Sequence, residues 1–325
     1  MPAAVPTTLV TGGAGFIGSH VCDALLAQGN AVRCLDNLAT GNLRNIEHLQ
    51  GAKNFTFVQG DIREARDVEQ ALVGVDAVVH LAALGSVPRS IAFPLDSEAA
   101  NLGGFLNVLE AARHAGLKRI VYASSSSVYG DSPALPKREG QEGNPLSPYA
   151  VTKMMDEVYA GLYHRLFGIE TIGLRFFNIF GERQDPEGAY AAAIPKFIRA
   201  LLKHEAPVVH GDGHQTRDFT YVGNAVQAVQ LALETPKACA GEVFNIAYGD
   251  SCDLLDLIGK LQSRLARIDP AIAGVGVEHA PPRAGDVRAS LADVSKAKEQ
   301  LGYAPRFSLD EGLERAVPWY AEHWR

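Results

Sequence analysis

The first half of the chain alternates short apolar runs with longer segments in which apolar residues recur at helical spacing. The short runs are apolar almost throughout, which is typical of strands that are covered on both faces. Strands are expected at 8–13, 31–36, 55–61, 77–83, 119–125 and 170–176. Helices are expected between them at 16–29, 63–74, 101–116 and 147–168. Repeated strand–helix–strand units of this kind predict a parallel sheet with helices on both faces.

The alternation of strands and helices ends at about residue 176, and turns, a helix and short strands are mixed after it. The C-terminal part is predicted to consist of helices joined by proline-rich connections. The sequence therefore predicts an α/β protein with a doubly wound parallel sheet of the Rossmann type and a smaller C-terminal α/β domain. The first domain is expected over 1–176, with 217–247 returning to it, and the second mainly over 177–325.

Composition excludes several classes of protein. The 325 residues carry a formal charge of −7, which argues against nonspecific binding to the phosphate backbone of nucleic acids. The first ten residues do not resemble a signal peptide, and no apolar run approaches the roughly 20 residues that a membrane helix needs. The four cysteines lack CxxC spacing and a histidine cluster, so they are interpreted as small apolar residues in a reducing cytoplasm, and no metal is expected.

A glycine-rich segment, TGGAGFIGSH, follows the first strand and opens the first helix. Gly12 permits the tight turn, Gly15 lets the backbone approach a pyrophosphate, and Gly18 lets the helix pack closely on the strand. The helix N-terminus then offers free N–H groups to the phosphates. Asp36 ends the second strand about 20 residues later, where an acid can bind the ribose hydroxyls and repel a 2′-phosphate, so NAD is favoured over NADP. The alternative is an ordinary strand-to-helix turn.

The sequence allows two roles for each of two further segments. Asp61 ends the third strand and could contact the adenine or, equally, cap the helix that follows. The small residues of HLAAL, at 80–84, suit a backbone wall for a cofactor but could also be plain packing.

In the segment SPYAVTK, Pro148 suits the first position of a helix, and Ser147 can cap the N-terminus of that helix. Tyr149 and Lys153 then lie one turn apart on the same face. A free tyrosine loses its proton at about pH 10, and a neighbouring ammonium favours the phenolate. The serines of ASSSSVYG, at the end of the fifth strand, can bond the same substrate oxygen. The alternative is an ordinary amphipathic helix with a solvated lysine.

Taken together, the motifs TGGAGFIG, DNLATG, HLAALGSVPRS, SSSSVYGD, SPYAVTK, LRFFNIFGERQDP, GDGHQTRDFTYV and RAGDVRASLAD resemble the extended short-chain dehydrogenases/reductases, specifically UDP-hexose 4-epimerases that act on N-acetylated sugars. The resemblance spans nearly the whole chain. It implies that Tyr149 is the catalytic base, that Lys153 holds the nicotinamide ribose, and that Ser125 bonds the reacting oxygen. It also implies tightly bound NAD, regenerated in each turnover. Contacts to NAD are expected from Gly12, Gly15, Phe16, Ile17, Gly18, Asp36, Asn37, Asp61, Ile62, Leu81, Ala82, Ala83, Asn101, Tyr149, Lys153 and Phe176.

The resemblance further implies a UDP-sugar site. Asn178, Arg217 and Arg283 match residues that meet the diphosphate, and Asp286 matches a contact to the uridine ribose. Any one of them, taken alone, would be interpreted as a surface residue. The sugar is expected to contact Ser86, Arg89, Ser90, Ser125, Ser126, Ser127 and Tyr149. The segment GSVPRS that carries the first three could instead simply start the next helix.

Ser290 is the most informative departure from the pattern, because relatives restricted to UDP-glucose and UDP-galactose commonly have a tyrosine there. A serine leaves room for a 2-acetamido group. The expected reaction is therefore the NAD-dependent interconversion of UDP-GlcNAc and UDP-GalNAc, with weaker activity on UDP-glucose and UDP-galactose, through a transient 4-keto sugar. The family also implies a homodimer that packs through helices at about 97–115 and 148–167.

Three alternatives stay open. A UDP-glucuronate 4-epimerase shares these elements and needs a cation or hydroxyls for the sugar carboxylate, a role that Arg89 could fill. A 4,6-dehydratase is disfavoured because that chemistry commonly uses an Asp-Glu pair where this chain has Ser126 and Ser127. A non-catalytic NAD-binding regulator on the same fold is disfavoured by the intact Tyr149, Lys153 and Ser125.

Overall fold

The computed structural model describes residues 5–186, 192–282 and 287–324. The strands in these ranges are β1 Thr7–Thr11, β2 Ala31–Asp36, β3 Phe55–Gln59, β4 Ala77–His80, β5 Arg119–Ser125, β6 Glu170–Phe176, β7 Ile179–Phe180, β8 Val208–His210, β9 Thr216–Arg217, β10 Thr220–Tyr221, β11 Glu242–Ile246, β12 Cys252–Asp253, β13 Glu278–Ala280 and β14 Ala289–Ser290. The helices are α1 Phe16–Ala27, α2 Ala65–Ala71, α3 Val87–Ala92, α4 Pro94–Glu98, α5 Gly104–His114, α6 Pro148–Phe167, α7 Ala193–Leu202, α8 Val222–Glu234, α9 Leu254–Leu265, α10 Ser295–Leu301 and α11 Leu309–His323.

The central sheet has seven strands in the order β3-β2-β1-β4-β5-β6-β11, and every neighbouring pair is parallel. The six strands expected from the sequence are all present, which confirms the doubly wound α/β fold. The seventh strand, β11, was not predicted and extends the sheet beyond β6. The strand order reverses between β1 and β4, and ligands in such sheets bind outside the carboxyl ends of the strands at this point.

Each face of the sheet carries its own core, because successive strand residues point to opposite faces. In β1, Val10 packs into a core with α1 and α8, whereas Leu9 packs into a second core with α2, α5 and α6. The C-terminal part has a third core, which includes Ile198 of α7, Leu261 of α9 and Val317 of α11.

Two predicted helices differ from the structure at their ends. The helix expected at 101–116 is preceded by a π-helical turn, Ala99–Gly103, and its regular part begins at Gly104. The helix expected at 63–74 is shorter, Ala65–Ala71. In the described ranges, no helix combines the length and apolarity required to cross a bilayer.

Candidate active site

The loop after β1 forms the floor of a cleft at the carboxyl ends of β1 and β4. Gly12 has a φ of 70°, and a Cβ at this position would lie 2.7 Å from the backbone nitrogen of Ala82. A Cβ at Gly18 would lie 2.1 Å from the Gly12 carbonyl oxygen, so only glycine lets α1 approach the loop this closely. The predicted roles of these two glycines in the turn and in helix packing are therefore confirmed.

A cavity of about 370 Å³ opens above this loop. Twelve of the residues predicted to contact NAD line it: Gly12, Gly15, Phe16, Ile17, Gly18, Asp36, Asn37, Asp61, Ile62, Leu81, Ala82 and Ala83. The start of α1 faces the same loop, so its free N–H groups are available to an anion. The cavity therefore combines a phosphate-binding loop, an acid at the end of β2 and a wall of small residues, a combination that fits a dinucleotide.

Asp36 also holds the glycine loop in place. Its carboxylate accepts hydrogen bonds from the backbone N–H of Ala14, at 3.0 Å, and of Leu38, at 2.8 Å. Burial raises the pKa of this carboxyl, although the backbone hydrogen bonds oppose the rise. The acid that the sequence assigns to ribose binding thus also ties together the segments that follow β1 and β2.

Asp61 lies at the opposite wall of this cavity and does not cap a helix, since α2 begins at Ala65 with Glu64 as its cap residue. The capping alternative is therefore wrong. Its carboxylate forms an ion pair with Arg63 at 2.6 Å and accepts a hydrogen bond from Asn37 at 2.8 Å. The Arg63 guanidinium holds the pKa of Asp61 at about 2.

A second cavity, of about 430 Å³, lies beside the end of β5. It brings together eight predicted site residues from distant parts of the chain: Ser125, Ser126, Ser127, Tyr149, Phe176, Asn178, Arg217 and Ser290. Tyr149 reaches this cavity because α6 starts at Pro148. The Ser147 hydroxyl caps the helix by accepting a hydrogen bond from Ala150 N–H at 3.1 Å, which confirms the predicted helix start.

Lys153 is buried in the protein interior and lines neither of these two cavities. Its side chain is 2% exposed, and its ammonium donates to the Ala123 carbonyl and to Asp156 Oδ2, each at 3.0 Å. The alternative of a solvated lysine on an amphipathic helix is therefore wrong. Asn101 is also buried nearby, where its side chain binds Thr152 and the backbone N–H of Leu84.

The three predicted sugar contacts in segment 85–90 differ in whether they line a cavity. Ser86 caps α3 by accepting a hydrogen bond from Arg89 N–H at 3.2 Å, so the segment does start a helix. Ser86 also lines a third cavity, of about 1120 Å³, together with Asn178 and Arg217. Ser90 is buried and donates to the Val87 carbonyl at 2.8 Å. Neither Arg89 nor Ser90 lines any of the three cavities.

The C-terminal part contributes through short strands. Strand β14 runs parallel to β9, so that Ser290 lies opposite Arg217. The predicted substrate residues Arg283 and Asp286 lie outside the described residues.

A family model described as GDP-mannose 4,6 dehydratase matches residues 9–316. The chain belongs to this family of extended short-chain dehydrogenases/reductases. It is 38% identical over 321 residues to a UDP-glucose 4-epimerase of Mycolicibacterium smegmatis, with 96% of this chain and 98% of the relative covered.

Two solved structures share the fold over almost their full length. One is a UDP-N-acetylglucosamine 4-epimerase from Methanobrevibacter ruminantium in complex with UDP-N-acetylmuramic acid, with a TM-score of 0.91, 37% identity and 98% and 99% of the two chains covered. The other is a UDP-glucuronic acid 4-epimerase from Bacillus cereus in complex with UDP-glucuronic acid and NAD, with a TM-score of 0.86, 34% identity and 97% and 99% covered. The resemblance deduced from the sequence motifs is thus confirmed.

Sequence reasoning missed two charged residues of this short-chain dehydrogenase/reductase. Lys137, in the loop after β5, lines the cavity of Tyr149 and is 6% exposed. Asp156 is 1% exposed and pairs with Lys153. Neither position stands out in the sequence, because an isolated lysine in a loop and an acid three residues after a lysine are both usual at protein surfaces.

Proposed function

We propose that this protein is an NAD-dependent 4-epimerase of UDP-sugars and that it prefers the UDP-GlcNAc/UDP-GalNAc pair. The observation that carries the proposal is the single cavity that contains Tyr149, Ser125 and Ser290. A base, a hydroxyl donor and a small residue then face one ligand from three separate elements. The solved relatives that carry UDP-sugars support the same reaction class.

In the proposed reaction, Tyr149 removes the proton from the 4-hydroxyl of the hexose and later returns it. Ser125 assists because its oxygen already accepts the backbone N–H of Ser127 at 3.2 Å, which leaves its own proton available to the sugar oxygen. Bound NAD would supply reversible hydride transfer at C4 of the hexose, which allows a transient 4-keto sugar to be reduced on either face. One tyrosine therefore serves both directions.

The residues present fit NAD. The glycine loop and the N-terminus of α1 would hold its pyrophosphate, Asp36 its adenine-side ribose, and Lys153 its nicotinamide ribose. Lys153 has three N–H donors and uses two of them on Ala123 and Asp156, so one donor is left for a ribose hydroxyl. Tight retention of NAD would suit a reaction that regenerates its cofactor in each cycle.

The preference for N-acetylated sugars depends on Ser290. This side chain lies beside the cavity that contains Tyr149 and opposite Arg217 in the neighbouring strand, where Asn178 also reaches. If Asn178 and Arg217 anchor the diphosphate, a sugar that extends from them to Tyr149 passes Ser290. A hydroxymethyl side chain there leaves space for a 2-acetamido group.

A second candidate is UDP-glucuronate 4-epimerase, and Lys137 is the observation that favours it. Lys137 lines the same cavity, its ammonium donates to the Ser132 carbonyl, and no described residue forms an ion pair with it. Burial lowers the pKa of Lys137, as expected for a cation without an acidic neighbour. A sugar carboxylate would provide the missing countercharge. The cavity of Tyr149 is lined by Lys137 and not by Arg89, so we propose Lys137 for this role.

One experiment tests the proposal and separates the two candidates. Purified protein is incubated with UDP-GlcNAc, UDP-glucose or UDP-glucuronate, without added cofactor, and the products are identified. We expect UDP-GalNAc as the fastest product and UDP-galactose as a slower one. Preferential formation of UDP-galacturonate would favour the second candidate, and an absence of any 4-epimer, with NAD added as well, would reject both.

We also propose that the protein is a homodimer. Helix α6 exposes Val151, Val158 and Leu166, with fractional exposures of 42%, 57% and 64%. These residues are seven and eight positions apart, so they share one face of the helix. Leu95 of α4, which packs against α6, adds a side chain that is 79% exposed. An apolar surface of this kind on two neighbouring helices is typical of a helical dimer interface.

A further inference from the structure

Lys153 and Asp156 form an ion pair that is almost completely buried. Their side chains are 2% and 1% exposed, and the ammonium and one carboxylate oxygen are 3.0 Å apart. The other oxygen, Oδ1, accepts no hydrogen bond from the described residues. A buried ion pair of this kind can destabilise the fold, because the desolvation of two charges can exceed their attraction. Its presence here therefore points to a specific role.

The surrounding charges leave Asp156 as the acid dedicated to Lys153. On α6, the adjacent Glu157 is engaged by Arg175 of β6, at 2.7 and 2.8 Å, and by the hydroxyl of Ser124. Arg175 is in turn shared between Glu157 and Glu142. Glu157 therefore has its own cationic partner and acts on Lys153 only at longer range. Among the described residues, Asp156 is the only acid that forms an ion pair with the Lys153 ammonium.

Two other titratable groups that face the pair, His80 and Tyr122, are neutral. From β4, His80 faces Lys153, and burial lowers the pKa of this imidazole to about 3. From β5, Tyr122 faces the two acids, and burial raises the pKa of its phenol well above the usual value. Burial lowers the pKa of Lys153, but the attraction of Asp156 and of Tyr149 outweighs it and raises the value overall. Lys153 is thus a cation over the whole working range.

We infer that Asp156 is a positioning residue for catalysis, which holds the Lys153 ammonium in place one helical turn from Tyr149 and limits the positive charge that Lys153 presents to the tyrosine. The inference rests on the proposed function, in which Lys153 favours the phenolate of Tyr149. Asp156 does not touch the substrate cavity and acts only through Lys153.

Removal of the Asp156 charge should change the pH dependence of activity in a direction that can be measured. A lone buried ammonium stabilises a nearby phenolate more strongly than an ammonium paired with a carboxylate. Asp156→Asn keeps the size and a hydrogen-bond acceptor but removes the negative charge. Burial raises the pKa of Asp156 to about 6, so the wild type carries this negative charge only above that pH. In that range, activity in the variant should persist to lower pH than in the wild type. The expected displacement of the acid side of the kcat profile is about half a unit to one unit, smaller than for a direct charge contact.

The test compares the pH profiles of kcat for the wild type, Asp156→Asn and Asp310→Asn. Asp310 is a matched control, because it pairs with Lys260 at 3.0 Å on the exposed surface of the C-terminal helices. We expect the profile to move only in Asp156→Asn. An Asp156→Asn profile that coincides with the wild type overturns the inference.

A second readout does not depend on turnover. The thermal midpoints of Lys153→Met, Asp156→Asn and the double variant form a mutant cycle. We expect Asp156→Asn to have a lower thermal midpoint, because the Lys153 ammonium is left buried without its partner. The double variant, which lacks this ammonium, should recover most of the lost thermal midpoint. Additive losses overturn the inference. The difference in tyrosinate absorbance between the wild type and Tyr149→Phe, repeated in the Asp156→Asn background, should likewise develop at lower pH.

These outcomes distinguish the inference from the proposed function. Failure of the proposed function is an absence of epimer formation in the wild type, whereas the mutant cycle and the absorbance titration still report on Asp156. Failure of the inference alone is normal epimerisation together with an unmoved profile and no coupling.

Discussion

Ser290 and Arg217 lie opposite each other in the parallel strands β14 and β9, and both line the cavity that contains Tyr149. The residue proposed to select the sugar is therefore fixed by backbone pairing to the residue proposed to hold the diphosphate. The distance between the nucleotide anchor and the sugar pocket is set by the sheet rather than by a free loop.

Ser290→Tyr tests this arrangement. The phenol ring should fill the space proposed for the 2-acetamido group, so that UDP-GlcNAc turnover falls by about 100-fold or more while UDP-glucose turnover is spared. The measurement is kcat/KM for both substrates, with Ser290→Ala as the control that keeps the space open. Equal losses for both sugars would contradict the steric explanation.

Gly12→Ala tests the nucleotide loop. A methyl group would meet the backbone of Ala82 at 2.7 Å, and the φ of 70° is unfavourable for alanine, so the purified variant should lose its bound NAD. The matched control is Gly29→Ala, because Gly29 has a φ of 86° but no atom within 4 Å of the added carbon. This control should cost about 1 kcal/mol of stability and retain NAD. Loss of NAD from both variants would show that backbone strain, not the close approach, is responsible.

Val158→Glu tests the proposed dimer. A charge in the centre of the exposed apolar face of α6 should convert the dimer to a monomer, as measured by light scattering. Val73→Glu is the control, because Val73 is 71% exposed but belongs to neither α4 nor α6 and follows α2. A wild-type protein that is monomeric at micromolar concentration contradicts the proposal directly.

Asp218 should make stability depend on pH. This carboxyl is fully buried, accepts hydrogen bonds from the backbone N–H of Gly249 and Ala292, and has its pKa raised to about 7 by burial. Because the value in the unfolded chain is about 4, the folded protein binds the extra proton between these two pH values. Its contribution is therefore full below about pH 4 and is lost as the pH rises through about 7.

The measurement is the thermal midpoint of the wild type and of Asp218→Asn across this pH range. The wild type should lose stability relative to the variant as the pH increases. Parallel curves for the two proteins would show that Asp218 does not titrate in this range.

The sheet could be predicted because its strands are apolar on both faces and are separated by helices that end at a glycine. Strand β11, with the sequence EVFNI, was missed because two polar residues, Glu242 and Asn245, interrupt a short apolar run at the edge of the sheet, within a region of irregular pattern. The glycine loop and the start of α6 were predictable for a different reason, since each depends on local backbone chemistry at Gly12, Ser147 and Pro148.

The burial of charged side chains could not be predicted. Lys153 and Asp156 are three residues apart, a spacing that is common on exposed helix faces, and only the packing of α6 against β5 takes both away from water. Lys137 enters the cavity because its backbone bonds to Leu291, a contact between segments more than 150 residues apart. Pairings of this range leave no signal in the local sequence.

The most direct test of the account is the substitution Tyr149→Phe. If Tyr149 is the base that takes the proton from the sugar, the variant should lose at least about 100-fold in kcat, the usual range for a positioned general base. Its NAD content and thermal midpoint should stay close to those of the wild type, because only one hydroxyl group is removed at the wall of a cavity. Epimerisation at the wild-type rate by Tyr149→Phe would contradict the central claim.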